Sequence, residues 1–188
     1  GRNWEQIRTT IAYNDRPVIV VGSHAGISVG PDGGTHQAIE DIAIMRVMPN
    51  MMIISPCDAI EARKTTLLLA KLGKPAYLRL AREKTPIMTT EETPFEIGKA
   101  QIFYESDGMP NVGIIATGAL VHKAIKAARE LEKNGIKSKV LNMATIKPLD
   151  KEAVLKLAKE TKRIVTVEEH QRIGGLGSAV SEFLSENF

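Results

Sequence analysis

The amino-acid sequence predicts an α/β protein in which parallel sheets are covered by helices. Two observations carry this expectation. Short β-branched runs alternate with longer amphipathic stretches, and the connections between them are short. A third observation places the chemistry: a glycine-rich loop directly follows the first strand, and open α/β sheets bind ligands beyond the carboxyl ends of their strands.

The chain opens on a helix over Trp4 to Tyr13. Val18 to Val21 reads as a buried strand, as do Met52 to Ile54, Tyr77 to Leu80, Val112 to Ala116, Ser138 to Leu141 and Ile164 to Val167. A helix is predicted to begin near His36, with Thr35 as its cap and Ile39, Ile42 and Ala43 on its inner side. Asp58 and Glu61 stand at capping-box spacing before a helix that runs to Leu72 and stops at Gly73. Val121, Ala124, Ile125, Ala128 and Leu131 share one face of a helix over Ala119 to Asn134. Asp150 to Glu160 and Leu176 to Leu184 repeat the pattern. Between Glu83 and Ala100 the rhythm breaks: Pro86, Pro94, charged clusters and paired threonines show no sustained period. This stretch reads as a linker, residues 83–100, between a unit over 1–82 and another over 101–188. The first unit offers three strands, a thin sheet that suggests further chain before Gly1.

Composition narrows the classes of function. The apolar and charged fractions, 43% and 25%, are those of an ordinary globular protein. No apolar run nears eighteen residues, so no membrane partner is expected, and Gly1 to Glu5 does not read as a signal peptide. A single cysteine, Cys57, fits a reducing cytoplasm. A net charge of +3 suits an anionic small molecule. Scattered lysines and 4% aromatic residues argue against nucleic acid.

The loop from Gly22 to Gln37 is rich in glycine and carries His24, Asp32 and His36; Arg79 and Arg82 lie at the end of the third strand. Glycine allows close backbone approach to a ligand. A helix amino terminus at His36 would favour an anion and keep that imidazole neutral. His24 and Arg82, both past strand ends, could face a phosphate, and Asp32 could accept a hydrogen bond from a substrate hydroxyl. Each has a plainer alternative. Asp32 sits in a turn-forming Pro-Asp-Gly-Gly, the histidines could bond backbone, and the arginines could pair with Glu83 at the surface. Cys57 alone, with two histidines twelve apart, matches no metal spacing.

Together these residues match a pattern. His24-x-x-Ile27-x-Val29-Gly30-x-Asp32-Gly33-x-Thr35-His36-Gln37 resembles the thiamine-diphosphate pyrimidine-binding domain of transketolases. Ile39-Glu40, Arg46, Pro49-Asn50, Ser55-Pro56-Cys57-Asp58-Ala59 and Leu80-Ala81-Arg82 continue it. Ala116-Thr117-Gly118, Ile146-Lys147-Pro148-Leu149-Asp150, Val167-Glu168-Glu169 and Gly174-Gly175-Leu176-Gly177-Ser178-Ala179 resemble the carboxy-terminal domain of the same enzymes. That domain is shared with deoxyxylulose-phosphate synthases and the beta subunits of 2-oxoacid dehydrogenases. Ala25-Gly26 in place of Asp-Ser, and Gly34 in place of proline, are similar to transketolases split into two chains.

The resemblance implies a partial pyrimidine-binding domain over 1–82 and a transketolase carboxy-terminal domain over 101–188. It implies transfer of a two-carbon ketol unit between sugar phosphates in the pentose phosphate pathway, with thiamine diphosphate and Mg2+ as cofactors. His24 and Arg82 would bind the substrate phosphate, and Asp32 the C2 hydroxyl. His36 would lie near both the cofactor and the ketose hydroxyls. Arg79 lies beside the family position without filling it, and His122 and His170 read as structural. The family's catalytic glutamate would lie upstream of Gly1, so no catalytic residue can be named here. The implied partners are an amino-terminal transketolase section or subunit and a second copy in a homodimer, and the chain alone would be inactive. Among alternatives, deoxyxylulose-phosphate synthases usually carry Tyr-Pro before the second arginine, where this chain has Leu80-Ala81. A non-catalytic dimer-assembly module would have no need of the loop chemistry.

Overall fold

A computed structural model describes residues 2–188 and contains two four-stranded, mainly parallel sheets with helices packed on them. Helix α1 (Arg2–Gln6) runs on as a π-helical stretch (Ile7–Ala12). Its Trp4 indole donates to Ile44 O at 2.6 Å, so the opening helix is docked onto helix α2 (Asp41–Arg46). Strands β1 (Ile19–Ala25), β2 (Met52–Ile54) and β3 (Ala76–Ala81) are mutually parallel in the order β1-β3-β2. A fourth strand comes from much later in the chain: β7 (Thr145–Lys147) pairs antiparallel with β2. The second sheet has the order β4-β6-β5-β8. Strands β5 (Val112–Ala116), β6 (Ser138–Asn142) and β8 (Arg163–Val167) are parallel, and β4 (Gln101–Glu105) is antiparallel at the edge.

The observed helices α3 (Ala59–Leu72), α4 (Val121–Lys133), α5 (Lys151–Glu160) and α6 (Leu176–Asn187) fall where the apolar periods put them. Two expectations need correction. The first strand is not buried: β1 is the edge of its sheet, and Val21 is 54% exposed. Nor does a helix start at His36 under a Thr35 cap. Residues Gly34–His36 form a single 3-10 turn, and α2 begins only at Asp41. The physical reason is a bridge between Ala25 and Ala38, with Gly26 N donating to Ala38 O at 2.8 Å. That pairing draws the chain out in extended form where a helix would otherwise have begun.

Strands β4 and β7 went unforeseen. One is a five-residue edge strand with exposed Ile102, the other only three residues long, and neither presents a sustained period. The stretch read as a linker has no helix or strand, yet it is docked. Met88 N and Thr89 N both donate to Asp58 Oδ2 at 2.7 Å, and Phe95 and Ile97 pack against Ile54, Leu69, Ala76 and Leu78. The two halves also share a core. Ile42, Met45, Met48 and Ile53 from the first half join Ile115, Met143, Ile146, Leu157 and Leu176 from the second, each under one-tenth exposed. Among the described residues no helix is long and apolar enough to cross a membrane.

Candidate functional site

Strand β1 is irregular where the candidate chemistry begins. Gly22 pairs with Arg79 and Ala25 with Ala81, so Ser23 and His24 stand opposite Leu80 alone. Such a bulge bends its strand and re-aims the side chains on it. His24 absorbs the extra residue in left-handed backbone, at φ 60°, a region histidine enters more readily than β-branched residues do. Its ring is exposed, with Nδ1 3.1 Å from Ser23 Oγ.

Past the bulge, residues 26–37 leave Ala25 and return beside it at Ala38, forming a closed flap. Asp32 lies exposed in the turn between the flap's two 3-10 turns, Ile27–Val29 and Gly34–His36. His36 is exposed, with Nδ1 3.2 Å from Thr35 Oγ1. Arg82, one residue beyond β3, reaches under the flap and donates from Nη1 to Val29 O at 2.7 Å. A side chain at Gly30 would put its Cβ 2.0 Å from that nitrogen, so the guanidinium in this position occupies the space beside a glycine. The flap therefore carries Asp32 and His36 and begins two residues after His24, and Arg82 is bonded to Val29 in its first 3-10 turn. Among the described residues no hydrogen bond joins Asp32 or His36 to His24 or Arg82.

Arg79 is neither a surface charge nor bonded to Glu83. It is 7% exposed and bidentate to Asp41, at 2.7 Å from Nε and 3.2 Å from Nη2. Tyr77 donates its hydroxyl to the same carboxylate at 2.7 Å; burial, then the charge and acceptance of Asp41, push that phenol well above its ordinary range. This cluster fixes the start of α2 against β3. An arginine inside an otherwise apolar strand needs a carboxylate partner when buried, and that was the available signal for Asp41.

The second half of the chain closes on the flap through residues 169–171, contacts that no local period foretells. The Glu169 carboxylate accepts a hydrogen bond from Ser28 N, and the Glu169 carbonyl accepts one from Arg79 Nη2 at 2.8 Å. Gln171 N donates to Ile39 O at 2.8 Å. The His170 ring is fully buried, with Nε2 accepting from Ala43 N at 3.4 Å and Nδ1 2.7 Å from Gln171 O. His122 Nδ1 lies 3.1 Å from Ala119 O. Both histidines bond backbone. Among the described residues no group of three or more His, Cys, Asp or Glu side chains could hold a metal ion.

The family models follow these elements along the chain. Residues 1–88 match the transketolase pyrimidine binding domain, and residues 78–188 match the transketolase C-terminal domain. The chain belongs to the transketolase family. Among transketolase relatives, it is 44% identical over its whole length to a Methanocaldococcus jannaschii protein provisionally named as a transketolase C-terminal section, covering 58% of that protein. It is 41% identical to one of the subunits of the apulose-4-phosphate transketolase of Phocaeicola vulgatus, covering all of this chain and 59% of the other. A solved structure described as a split gene transketolase, inactive beta4 tetramer, superposes with a TM-score of 0.90 at 41% identity, covering all of this chain and 60% of that one. The chain thus spans about three-fifths of the length of these three relatives.

Proposed function

We propose that this chain is the substrate-binding, carboxy-terminal section of a transketolase that moves a two-carbon ketol unit between sugar phosphates of the pentose phosphate pathway. The observation that carries the reading is the placement of Arg82: its guanidinium is held on Val29 O beneath the flap, on the strand next to the bulge that presents His24. In this reading His24 and Arg82 take the substrate phosphate. Asp32 accepts from the C2 hydroxyl of the incoming substrate. His36 serves the ketose hydroxyls and the edge of thiamine diphosphate. When bound, that cofactor supplies the carbanion and the electron sink; this chain's residues bind and orient the sugar.

The residues present suit only part of the cofactor. The family resemblance gives the diphosphate with its Mg2+, and the catalytic glutamate, to an amino-terminal section or subunit. The isolated chain is accordingly inactive, and the complete enzyme works in the cytoplasm as a homodimer of such assemblies. The names of the split relatives support a separate partner chain.

Replacing Arg82 with alanine in the complete enzyme tests the reading. A charge-assisted hydrogen bond contributes roughly 1.5–3 kcal/mol, which is on the order of ten- to a hundredfold in kcat/KM. Xylulose 5-phosphate should lose that factor relative to hydroxypyruvate, which carries no phosphate. Equal losses on both donors would leave Arg82 a folding residue and remove the phosphate site.

A further inference from the structure

We propose that Glu169, in the second half of the chain, is a positioning residue for phosphate recognition: it holds the flap so that the flap can hold Arg82. The proposal rests on the phosphate-binding reading of Arg82. The links are consecutive. The Glu169 carboxylate accepts from Ser28 N, the next residue is Val29, and Val29 O accepts from Arg82 Nη1 at 2.7 Å. Both ends of this relay are glycine-dependent. A Cβ at Gly26, where φ is 90°, would lie 2.4 Å from the carboxylate carbon of Glu169, and one at Gly30 would strike Arg82.

Glu169 is a firm support because its own surroundings are tied down. Its carbonyl accepts from Arg79, which is itself locked to Asp41. The preceding residue, Glu168, caps α6 by accepting from Leu176 N at 2.7 Å and Gly177 N at 2.8 Å. The following residues bond the far end of the flap through Gln171 N and Ile39 O. A site residue is held to sub-ångström precision only when its neighbours are locked by a supporting layer, and here both halves of the molecule contribute to that layer. Ser28 N donates to a carboxylate, the stronger kind of backbone hydrogen bond. Without it the 27–29 turn keeps the Arg82 bond to Val29 O and the longer one from Gln37 Nε2 to Ile27 O at 3.4 Å.

The test compares Glu169→Ala, Glu169→Gln and Arg82→Ala in the complete enzyme, with xylulose 5-phosphate and hydroxypyruvate as donors and hydrogen exchange read at the Ser28 amide. Glu169→Ala should raise KM for xylulose 5-phosphate about tenfold more than for hydroxypyruvate, the scale of one charge-assisted hydrogen bond, with a smaller change in kcat. It should also speed exchange at Ser28. Glu169→Gln keeps an oxygen for the same N–H and should restore most of both. Equal KM changes on the two donors, or faster exchange at Ser28 with an unaltered KM ratio, overturns the positioning role. If Glu169→Ala does not fold, Glu169→Asp, with its shorter reach, is held to the same outcomes. Donor-selective loss in Arg82→Ala but not in the Glu169 variants sinks the positioning role alone. No selective loss in Arg82→Ala sinks the phosphate site and this proposal with it.

Discussion

At the scale of single residues, Gly30 tests how tightly the flap and Arg82 are matched. Its φ is 96°, and a methyl group there would meet the guanidinium at 2.0 Å. Gly30→Ala strains the turn through its positive φ, at a cost of about 1–3 kcal/mol, and displaces the Arg82 guanidinium from its place on Val29 O. A lower melting temperature together with a higher KM for xylulose 5-phosphate is expected. Thermal unfolding and steady-state kinetics on one preparation would check it, and a variant unchanged in both would show that the contact is dispensable. The sequence groups His24, Asp32, His36 and Arg82 by their places at strand ends and in glycine-rich turns and by the family pattern they match. For Arg79 the sequence leaves a surface charge as an open alternative, because its partner Asp41 lies thirty-eight positions away. Glu169 is read only as part of a family motif for the same reason, since Ser28 lies 141 positions away.

Among elements, helix α3 shows sequence and structure in closest accord. Asp58 accepts from Glu61 N at 2.9 Å, as the spacing predicts, while Glu61 reaches back to Cys57 N at 2.6 Å rather than to Asp58 N. The other Glu61 oxygen accepts from Asn142 Nδ2 at 2.7 Å, which ties α3 to the end of β6. Burial raises the Glu61 carboxyl above its ordinary range. Burial also pushes Asp58 upward, but the amides of Glu61, Met88 and Thr89 and the Thr89 hydroxyl outweigh it and hold the carboxyl low. The sign for Asp58 follows from that depression: its stabilisation is present above the unfolded carboxyl range and is lost as pH falls through the folded value. Asp58→Ala removes a helix cap and leaves the amides of Met88 and Thr89 without their acceptor, costing about 3 kcal/mol near neutral pH. Urea unfolding of both proteins across pH should show the gap narrowing in acid; a pH-independent gap would rule out the charge as its origin. The later helices were equally legible from caps and periods. Helix α2 was not, because the Ala25–Ala38 bridge competes for the residues that would have begun it.

For the whole molecule, β1 is the exposed feature of consequence. It stands at the edge of its sheet, with Val21 54% exposed and Val18, just before it, 40% exposed, and its outer side carries only the Ala25–Ala38 bridge among the described residues. Unpaired edges recruit further strands, so the chain should sediment as a dimer or larger species. A clean monomer at high concentration in analytical ultracentrifugation would refute this. The opposite edge of the same sheet carries a different consequence, one of timing. Ile54 waits for Thr145 and Ile53 for Lys147 before β2 gains its second neighbour. A ribosome adding roughly 5–20 residues per second needs several seconds to make the chain between them. Through that interval the nascent first sheet holds Met45, Met48 and Ile53 without Met143, Ile146 and Leu176 to cover them. The apolar surface that later binds the two halves into one body is then open to whatever the cell offers first, and chaperone demand during synthesis should peak before Lys147 leaves the exit tunnel.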